Sequence, residues 1–159
     1  MALGPGGVAK VALASAWFVT LLSPDCAKIA GLHNPSPKEK AMTNQELAKA
    51  FTDLLKSEKF DEAGKAYWSD DIVSREPMEG DMAVLKGRAA VDAKGAWWYA
   101  NHEVHGVKVE GPYAHGDQFI VRFTMDVTPK GAARMQMDEM GLYTIANGKI
   151  VEERFFFGG

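Results

Sequence analysis

One dipeptide near the end of the chain, Asn147-Gly148, constrains the fold most, because it separates two runs rich in apolar residues. Asn-Gly is the strongest short signal for a type I′ hairpin turn, in which both central residues need a positive φ. The turn also fixes a register, and the predicted opposite pairs are Ala146 with Lys149, Thr144 with Val151, Leu142 with Glu153 and Met140 with Phe155.

The predicted hairpin has two different faces, because side chains alternate along a strand. The first face is expected to point inward, and it holds Asp138, Met140, Leu142, Thr144, Val151, Glu153, Phe155 and Phe157. The outer face would hold Glu139, Gly141, Tyr143, Ile145, Ile150, Glu152, Arg154 and Phe156, with Glu139 paired to Arg154. Such an outer face is too apolar to stand in water, which predicts a homodimer through the sheet.

Composition limits the possible functions of the chain. Its 159 residues, 47% of them hydrophobic, are enough for one domain with a real core. The net charge of -3 gives no electrostatic case for nucleic acid, and one cysteine, Cys26, excludes an internal disulfide. Metal-binding and phosphate-loop motifs are missing from the sequence, so we expect no metal, no cofactor and no membrane or nucleic-acid partner.

Residues 1–41 differ from the rest and are interpreted as an N-terminal extension to a domain at 42–159. Val11–Leu22 is an apolar run of the size of a signal-peptide core, but small residues are not suitably placed after it for cleavage. Three interpretations stay open. The segment is an export signal, or an arm without a role in the chemistry, or the functional protein begins only at Met42. A cytoplasmic location is expected, with export as the alternative.

Periodicity predicts three helices and six strands in residues 42–159. Thr43 and Glu46 have the spacing of a capping box at the start of the first helix. The predicted helices are Thr43–Ser57, Phe60–Tyr67 and Arg88–Asn101, and the strands are Ile72–Glu76, Ala83–Lys86, Val104–Glu110, Gln118–Thr128, Arg134–Ile145 and Lys149–Phe157. Helices beside a mostly antiparallel sheet make an α+β domain.

This order of elements, with Tyr67-Trp68-Ser69-Asp70-Asp71 before the first strand and Asn147-Gly148-Lys149-Ile150 before the last, resembles the nuclear-transport-factor-2-like superfamily. Within it the chain is most similar to SnoaL-like domains, over about Thr43 to Phe157. The resemblance implies a cone-shaped sheet with three helices packed in its concavity, and usually a homodimer. It does not fix an activity, because the fold hosts isomerases, cyclases, dehydratases and binding domains.

The ketosteroid isomerases of this superfamily provide a comparison for individual residues. Their general base sits before a proline at the end of the first strand, where this chain has Glu76 before Pro77. The two residues that stabilise the oxyanion in those enzymes correspond to a position near Phe51 or Thr52 and to Met140. Neither donor is kept in this chain. The resemblance therefore implies a base at Glu76 without implying steroid isomerase activity.

Three residues are candidates for proton transfer: Glu76 as base, with Asp138 or His105 as acid or polarising partner. His105 shares the strand parity of Val107 and Val109, which would turn it inward. The predicted pocket lining is Trp68, Trp98, Val121, Phe123, Met125, Met140, Glu153, Phe155 and Phe157. The alternatives are structural ones: ion pairs of Glu76 with Arg75 or Arg88, ion pairs of the hairpin acids with His105, Arg134 or Lys94, and simple core packing of the histidine and the tryptophans.

Two functions follow as hypotheses. The first is a cofactor-free isomerase, cyclase or dehydratase acting on a small hydrophobic or polyketide-like molecule. The second is a domain that binds a hydrophobic ligand, or only dimerises, without catalysis.

Overall fold

The computed structural model describes residues 41–157. The predictions made for residues 1–40 therefore lie outside the described residues. The elements, in chain order, are α1 (Asn44–Lys56), α2 (Phe60–Tyr67), β1 (Trp68–Arg75), β2 (Val84–Lys86), α3 (Arg88–Asn101), β3 (His102–His115), β4 (Gln118–Pro129), β5 (Met135–Ala146) and β6 (Lys149–Phe157). None of the helices within residues 41–157 combines the length and the apolar character needed to cross a membrane.

The strands form one curved six-stranded sheet in the order β2-β1-β6-β5-β4-β3. All neighbours are antiparallel except β1 and β6, which run parallel. This confirms the α+β prediction of three helices on a mostly antiparallel sheet. The chain reaches β6 last yet inserts it between β1 and β5, so the closing hairpin lies in the middle of the sheet.

Helix α1 covers one part of the sheet through an apolar stripe. Thr43 and Glu46 form the predicted capping box, which satisfies backbone N–H groups that the first turn leaves unpaired. Leu47, Phe51 and Leu55 are almost fully buried. The Phe51 ring meets Tyr143 of the sheet edge-on at 5.0 Å, so the core lies between α1 and the central strands.

The closing hairpin has the predicted turn but not the predicted register. Asn147 and Gly148 adopt φ of 51° and 72°, and Ala146 lies opposite Lys149. Beyond that point Ile145 pairs with Ile150 and Thr144 with Glu152, so Val151 is an extra residue without an opposite partner. Such a β-bulge reverses the alternation of every residue that follows.

The bulge exchanges the two predicted faces of β5. Tyr143 and Ile145 are buried against the core, whereas Met140 is 46% exposed. The prediction that Asp138 and Met140 point inward is therefore wrong, as is the prediction of an outward Glu139 paired with Arg154. On β6, Glu153, Phe155 and Phe157 face inward as predicted. They follow the bulge and lie opposite the inward-facing residues of β5, such as Tyr143.

A second bulge lies at His105 on β3. Val104 pairs with Val127 and Gly106 with Asp126, so His105 is the additional residue. Val104 and Val107 consequently both face the core side, and His105 is exposed with Nε2 2.8 Å from Oγ1 of Thr128. The predicted inward orientation of His105 is wrong for this reason.

Candidate functional site

A cavity of about 460 Å³ opens between the inner face of the sheet and the helices. Its walls are largely aromatic: Phe51, Phe60, Trp68, Trp97, Trp98, Tyr99, Phe123, Tyr143, Phe155 and Phe157. Its polar side chains are Glu76, Lys94, His102, Glu139 and Glu153. An apolar cavity of this size with a few converging polar groups is the usual form of a small-molecule site.

Lys94 of α3 is the centre of the polar group. Its Nζ donates to Oγ of Ser74 at 2.6 Å, to Oε1 of Glu76 at 2.7 Å and to Oε1 of Glu153 at 3.2 Å. It also lies 4.6 Å from the centre of the Phe155 ring, a cation–π distance. Burial lowers the pKa of Lys94, but the attraction of Glu153 and Glu76 outweighs it and holds the pKa above its ordinary value.

The strands bring these partners together. In the parallel pair, Ser74 of β1 lies beside Glu153 of β6. Glu76 comes two residues after Ser74, on the same side, and its N–H donates to the carbonyl of Ala83 at 2.9 Å. The Glu153 side chain is only 3% exposed. Burial raises the pKa of Glu153, and the Lys94 ammonium opposes that rise.

Glu139 is the second carboxyl group with a special environment. It lines the cavity from β5 and is half-buried, and it makes no hydrogen bond or ion pair with another side chain among residues 41–157. Burial, followed by repulsion from Glu76, raises the pKa of Glu139 to about 7. Near neutral pH this carboxyl group is therefore divided between its charged and neutral forms.

His102 lies at the end of α3, where it is the capping residue. Its Nδ1 is 2.8 Å from the carbonyl oxygen of Trp98, and its ring stacks on the Trp98 indole at 4.6 Å. The exposed Trp97 and Tyr99 lie at the same end of the cavity. Both adjacent tryptophans, Trp97 and Trp98, therefore line the opening.

The structure brings most of the sequence-predicted residues together. The cavity is lined by Glu76, Trp68, Trp98, Phe123, Met125, Glu153, Phe155 and Phe157. Val121 is fully buried in the core next to them and is not part of the lining. Glu76 pairs with Lys94, and the expected alternatives Arg75 and Arg88 pair instead with Glu152 and Asp92.

Asp138, Met140 and His105 lie outside the cavity. Asp138 forms a two-point ion pair with Arg122, which lowers the pKa of the carboxyl group. Asp138 and Met140 border a shallow depression of the outer face. Nothing in the residue pattern indicates the bulge at Val151, which exchanges the faces of β5. The sequence prediction therefore placed Asp138 in the cavity and left Glu139 out of it. Lys94 was included as an expected ion-pair partner of the hairpin acids, and the structure shows this pair with Glu153.

Within residues 41–157 no cluster of three or more histidine, cysteine or acidic side chains has the geometry to hold a metal ion. The polar groups of the cavity, one lysine, three glutamates and one histidine, can take part in acid–base chemistry and hydrogen bonding.

The chain shares its sequence and fold with known domains. The family model described as SnoaL-like domain matches residues 42–157. A candidate SnoaL-like polyketide cyclase from Mesorhizobium loti is 56% identical, with a TM-score of 0.71, over 73% of this chain and 100% of that one. None of the curated proteins that were compared with the sequence matches it.

Two more distant structures share the fold. One is a candidate SnoaL-like polyketide cyclase from Jannaschia, 16% identical with a TM-score of 0.58 over 69% of this chain and 84% of that one. The other is TerC, co-crystallised with polyporic acid, which is 18% identical with a TM-score of 0.57 over 72% of this chain and 91% of that one. The chain belongs to the SnoaL-like domain family.

Proposed function

We propose that the cavity is the active site of a cofactor-free acid–base enzyme that isomerises or cyclises a small, flat, polyketide-like carbonyl compound. The relative from Mesorhizobium loti supports the substrate class through its description as a candidate polyketide cyclase. The co-crystallisation of TerC with polyporic acid supports a flat, oxygenated ligand for this fold. The aromatic walls of the cavity suit such a ligand, because stacked rings add to the gain from burial.

In this proposal Glu76 removes a proton from the carbon next to the substrate carbonyl. The electron pair of the broken C–H bond forms a new C=C bond, and the π electrons of the carbonyl move onto its oxygen to give an enolate. The proton stays on Glu76, which returns it to a carbon of the product. Glu139 in its neutral form donates a hydrogen bond to that oxygen as its charge develops, a task that requires a carboxylic acid kept protonated near neutral pH. Lys94 donates a hydrogen bond to Glu76 at 2.7 Å and holds its carboxylate in place.

One observation carries the proposal: two carboxyl groups in one apolar cavity have different partners. Glu76 is paired with an ammonium at 2.7 Å, whereas Glu139 is unpaired and has a pKa of about 7. Divided environments of this kind separate the base from the acid in enzymes that use two carboxyl groups. Asp138 and His105, predicted as acids, are left out of the proposal because they lie on the outer side of the sheet.

The test is hydrogen–deuterium exchange at the α-carbon of β-tetralone, a flat apolar ketone, followed by NMR in deuterated buffer. Glu76→Gln should slow the exchange about 100-fold or more, since it removes the base. Glu139→Gln should slow it less, because the amide still donates a hydrogen bond. Asp138→Asn is the matched control and should leave the rate unchanged. Equal rates for the wild type and Glu76→Gln would contradict the proposal.

A second function, binding without catalysis, is favoured by the ion pair itself. The Lys94 ammonium occupies Oε1 of Glu76 and also bonds Glu153, so one oxygen of the proposed base already accepts a hydrogen bond. A binding domain would take up β-naphthol, measured by quenching of tryptophan fluorescence, and yet would not exchange the α-protons of β-tetralone.

We also propose that the protein is a homodimer through the outer face of the sheet. The residues exposed there differ from the predicted ones because of the Val151 bulge. Met140 and Phe156 lie opposite each other on β5 and β6 and are 46% and 49% exposed. Together they make an apolar patch of the kind that a second subunit covers.

A further inference from the structure

We propose that His102 forms a second polar end of the cavity, so that the ligand is an elongated flat molecule with an oxygen at each end. This inference rests on the proposed function only in taking the cavity as a ligand site. It does not depend on whether a reaction follows. Its support comes from the hydrogen bond of one ring nitrogen, the stacking of the ring and its distance from Lys94.

The hydrogen bond to Trp98 fixes which nitrogen of His102 is free. A carbonyl oxygen can only accept, so Nδ1, at 2.8 Å from the Trp98 oxygen, must carry the hydrogen. In the neutral imidazole the other nitrogen, Nε2, then has a lone pair. Nε2 makes no hydrogen bond or ion pair with any group in residues 41–157. It is therefore available to accept from a ligand hydroxyl.

The ring of His102 is held in one orientation. It lies almost parallel to the Trp98 indole, 15° between the planes, and meets the Trp97 ring edge-on at 6.4 Å. A side chain held by stacking and by a hydrogen bond loses little further freedom when a ligand binds. The acceptor is thus prepared before the ligand arrives.

Lys94 and Trp98 lie one turn apart on α3, and His102 caps this helix directly after its last residue, Asn101, with an extended backbone. The helical rise of 1.5 Å per residue places the backbone positions of Lys94 and His102 on the order of 12 Å apart. The acid–base group around Lys94 therefore marks one end of the cavity wall, and His102 marks the other, with an indole between them. A ligand that reaches both ends is about two or three fused rings long and has an oxygen on its first and last ring.

Two fluorescent probes of equal shape test this inference. 2,6-Dihydroxynaphthalene has a hydroxyl at each end, and β-naphthol has one only. We expect the diol to bind the wild type about five- to tenfold more tightly than β-naphthol, the contribution of one additional neutral hydrogen bond. Titration by fluorescence or calorimetry measures both affinities.

Two substitutions of His102 distinguish the role of Nε2 from that of Nδ1, which is bonded to Trp98. Asn in His102→Asn has its amide nitrogen at the position of Nδ1, so it keeps the bond to Trp98 but has no group at Nε2. We expect it to abolish the preference for the diol. Gln in His102→Gln reaches the position of Nε2 with an oxygen and should restore most of the preference. His115→Asn, at the exposed last residue of β3, is the control and should bind like the wild type.

The outcomes are distinct. Loss of the preference in His102→Asn, with recovery in His102→Gln, supports the inference. Equal affinities of the wild type for both probes, or an undiminished preference in His102→Asn, overturns it while leaving the proposed function in place. If neither probe binds the wild type, the cavity is not a site for flat oxygenated molecules, and the inference falls together with the proposed function.

Discussion

Lys94 on α3 and Glu153 on β6 form an ion pair at the bottom of the cavity, with 3.2 Å between Nζ and Oε1. Their side chains are 16% and 3% exposed, so water contributes little to either charge. A buried pair of this kind is not in itself a large source of stability, but the loss of one partner leaves the other charge uncompensated.

Replacing Lys94 with Met should therefore lower the free energy of unfolding by about 3 to 5 kcal/mol at pH 8. Part of this loss should be recovered at acid pH. Burial raises the pKa of Glu153, so its penalty is absent below the unfolded-state pKa and grows as the pH rises through the folded-state pKa. Urea unfolding at pH 5 and pH 8 measures both effects.

Lys49→Met is the matched control for that experiment. Lys49 is 72% exposed and forms an i,i+4 pair with Asp53 on the surface of α1. Its loss should cost no more than about 0.5 kcal/mol, because exposed pairs of this type are weak. Equal losses in the two variants would show that Glu153 and Glu76 do not depend on Lys94.

Glu139→Gln should make the protein more stable at pH 8 than the wild type, by about 1 to 3 kcal/mol. The folded-state pKa of Glu139 is raised to about 7, so the wild type loses stability as the pH rises from the ordinary value of 4.5 through 7. Below that range both proteins hold a neutral side chain and should be equally stable. Urea unfolding as a function of pH provides the measurement.

Asp138→Asn should change the pH dependence of stability in the opposite direction to Glu139→Gln, although the two residues are adjacent in the sequence. Arg122 lowers the pKa of Asp138, so the stability that this ion pair contributes is present above the unfolded-state pKa and is lost as the pH falls through the folded-state pKa. The variant should be less stable than the wild type at pH 8 and equal to it at strongly acid pH. If both substitutions moved stability in the same direction, the two carboxyl groups would not lie on opposite faces.

Gly95→Ala should stabilise the domain and weaken ligand binding. Gly95 lies inside α3, and a Cβ built there meets nothing within 4 Å. Alanine in place of a helical glycine gains about 0.5 to 1 kcal/mol. The added methyl group would enter the cavity that Gly95 lines. A higher melting temperature together with lower affinity for β-naphthol is the expected result, and a lower melting temperature would contradict it.

Phe156→Glu tests the homodimer. A charge in the exposed patch around Met140 should prevent a second subunit from covering it, without disturbing the cavity on the other face. We expect light scattering after gel filtration to show a dimer for the wild type and a monomer for the variant. Lys49→Glu, at a side chain that is 72% exposed on α1 and therefore on the other side of the sheet, is the control and should remain dimeric.

The sequence predicts the elements of this domain well because their signals are local. The bounds of α3 and β6 are those expected from periodicity, and the capping box at Thr43 and the turn at Asn147-Gly148 form as predicted. Strand β3 instead continues past Gly111-Pro112, with irregular pairing between Glu110 and Tyr113. Pairing with β4 on both sides outweighs the local preference to break.

The composition of the site is less predictable, because it depends on which way each strand faces. When both faces of a strand carry apolar residues, the alternation of apolar and polar residues does not reveal an extra residue. The bulges at His105 and Val151 therefore moved Asp138, Met140 and His105 out of the expected site and brought Glu139 into it. Glu76 was located independently of these bulges, by its position before Pro77.

The extra residue at Val151 also decides how this hairpin should be compared with its relatives. Opposite residues of paired strands point to the same side of the sheet, and from Glu152 onward β6 is paired with β5 as if Val151 were not there. A relative that lacks this one residue would therefore keep Glu153, Phe155 and Phe157 in the cavity wall. A relative of equal length that pairs Val151 without a bulge would instead turn Glu152, Arg154 and Phe156 toward the ligand, so that the same letter in an alignment would stand on opposite sides of the sheet.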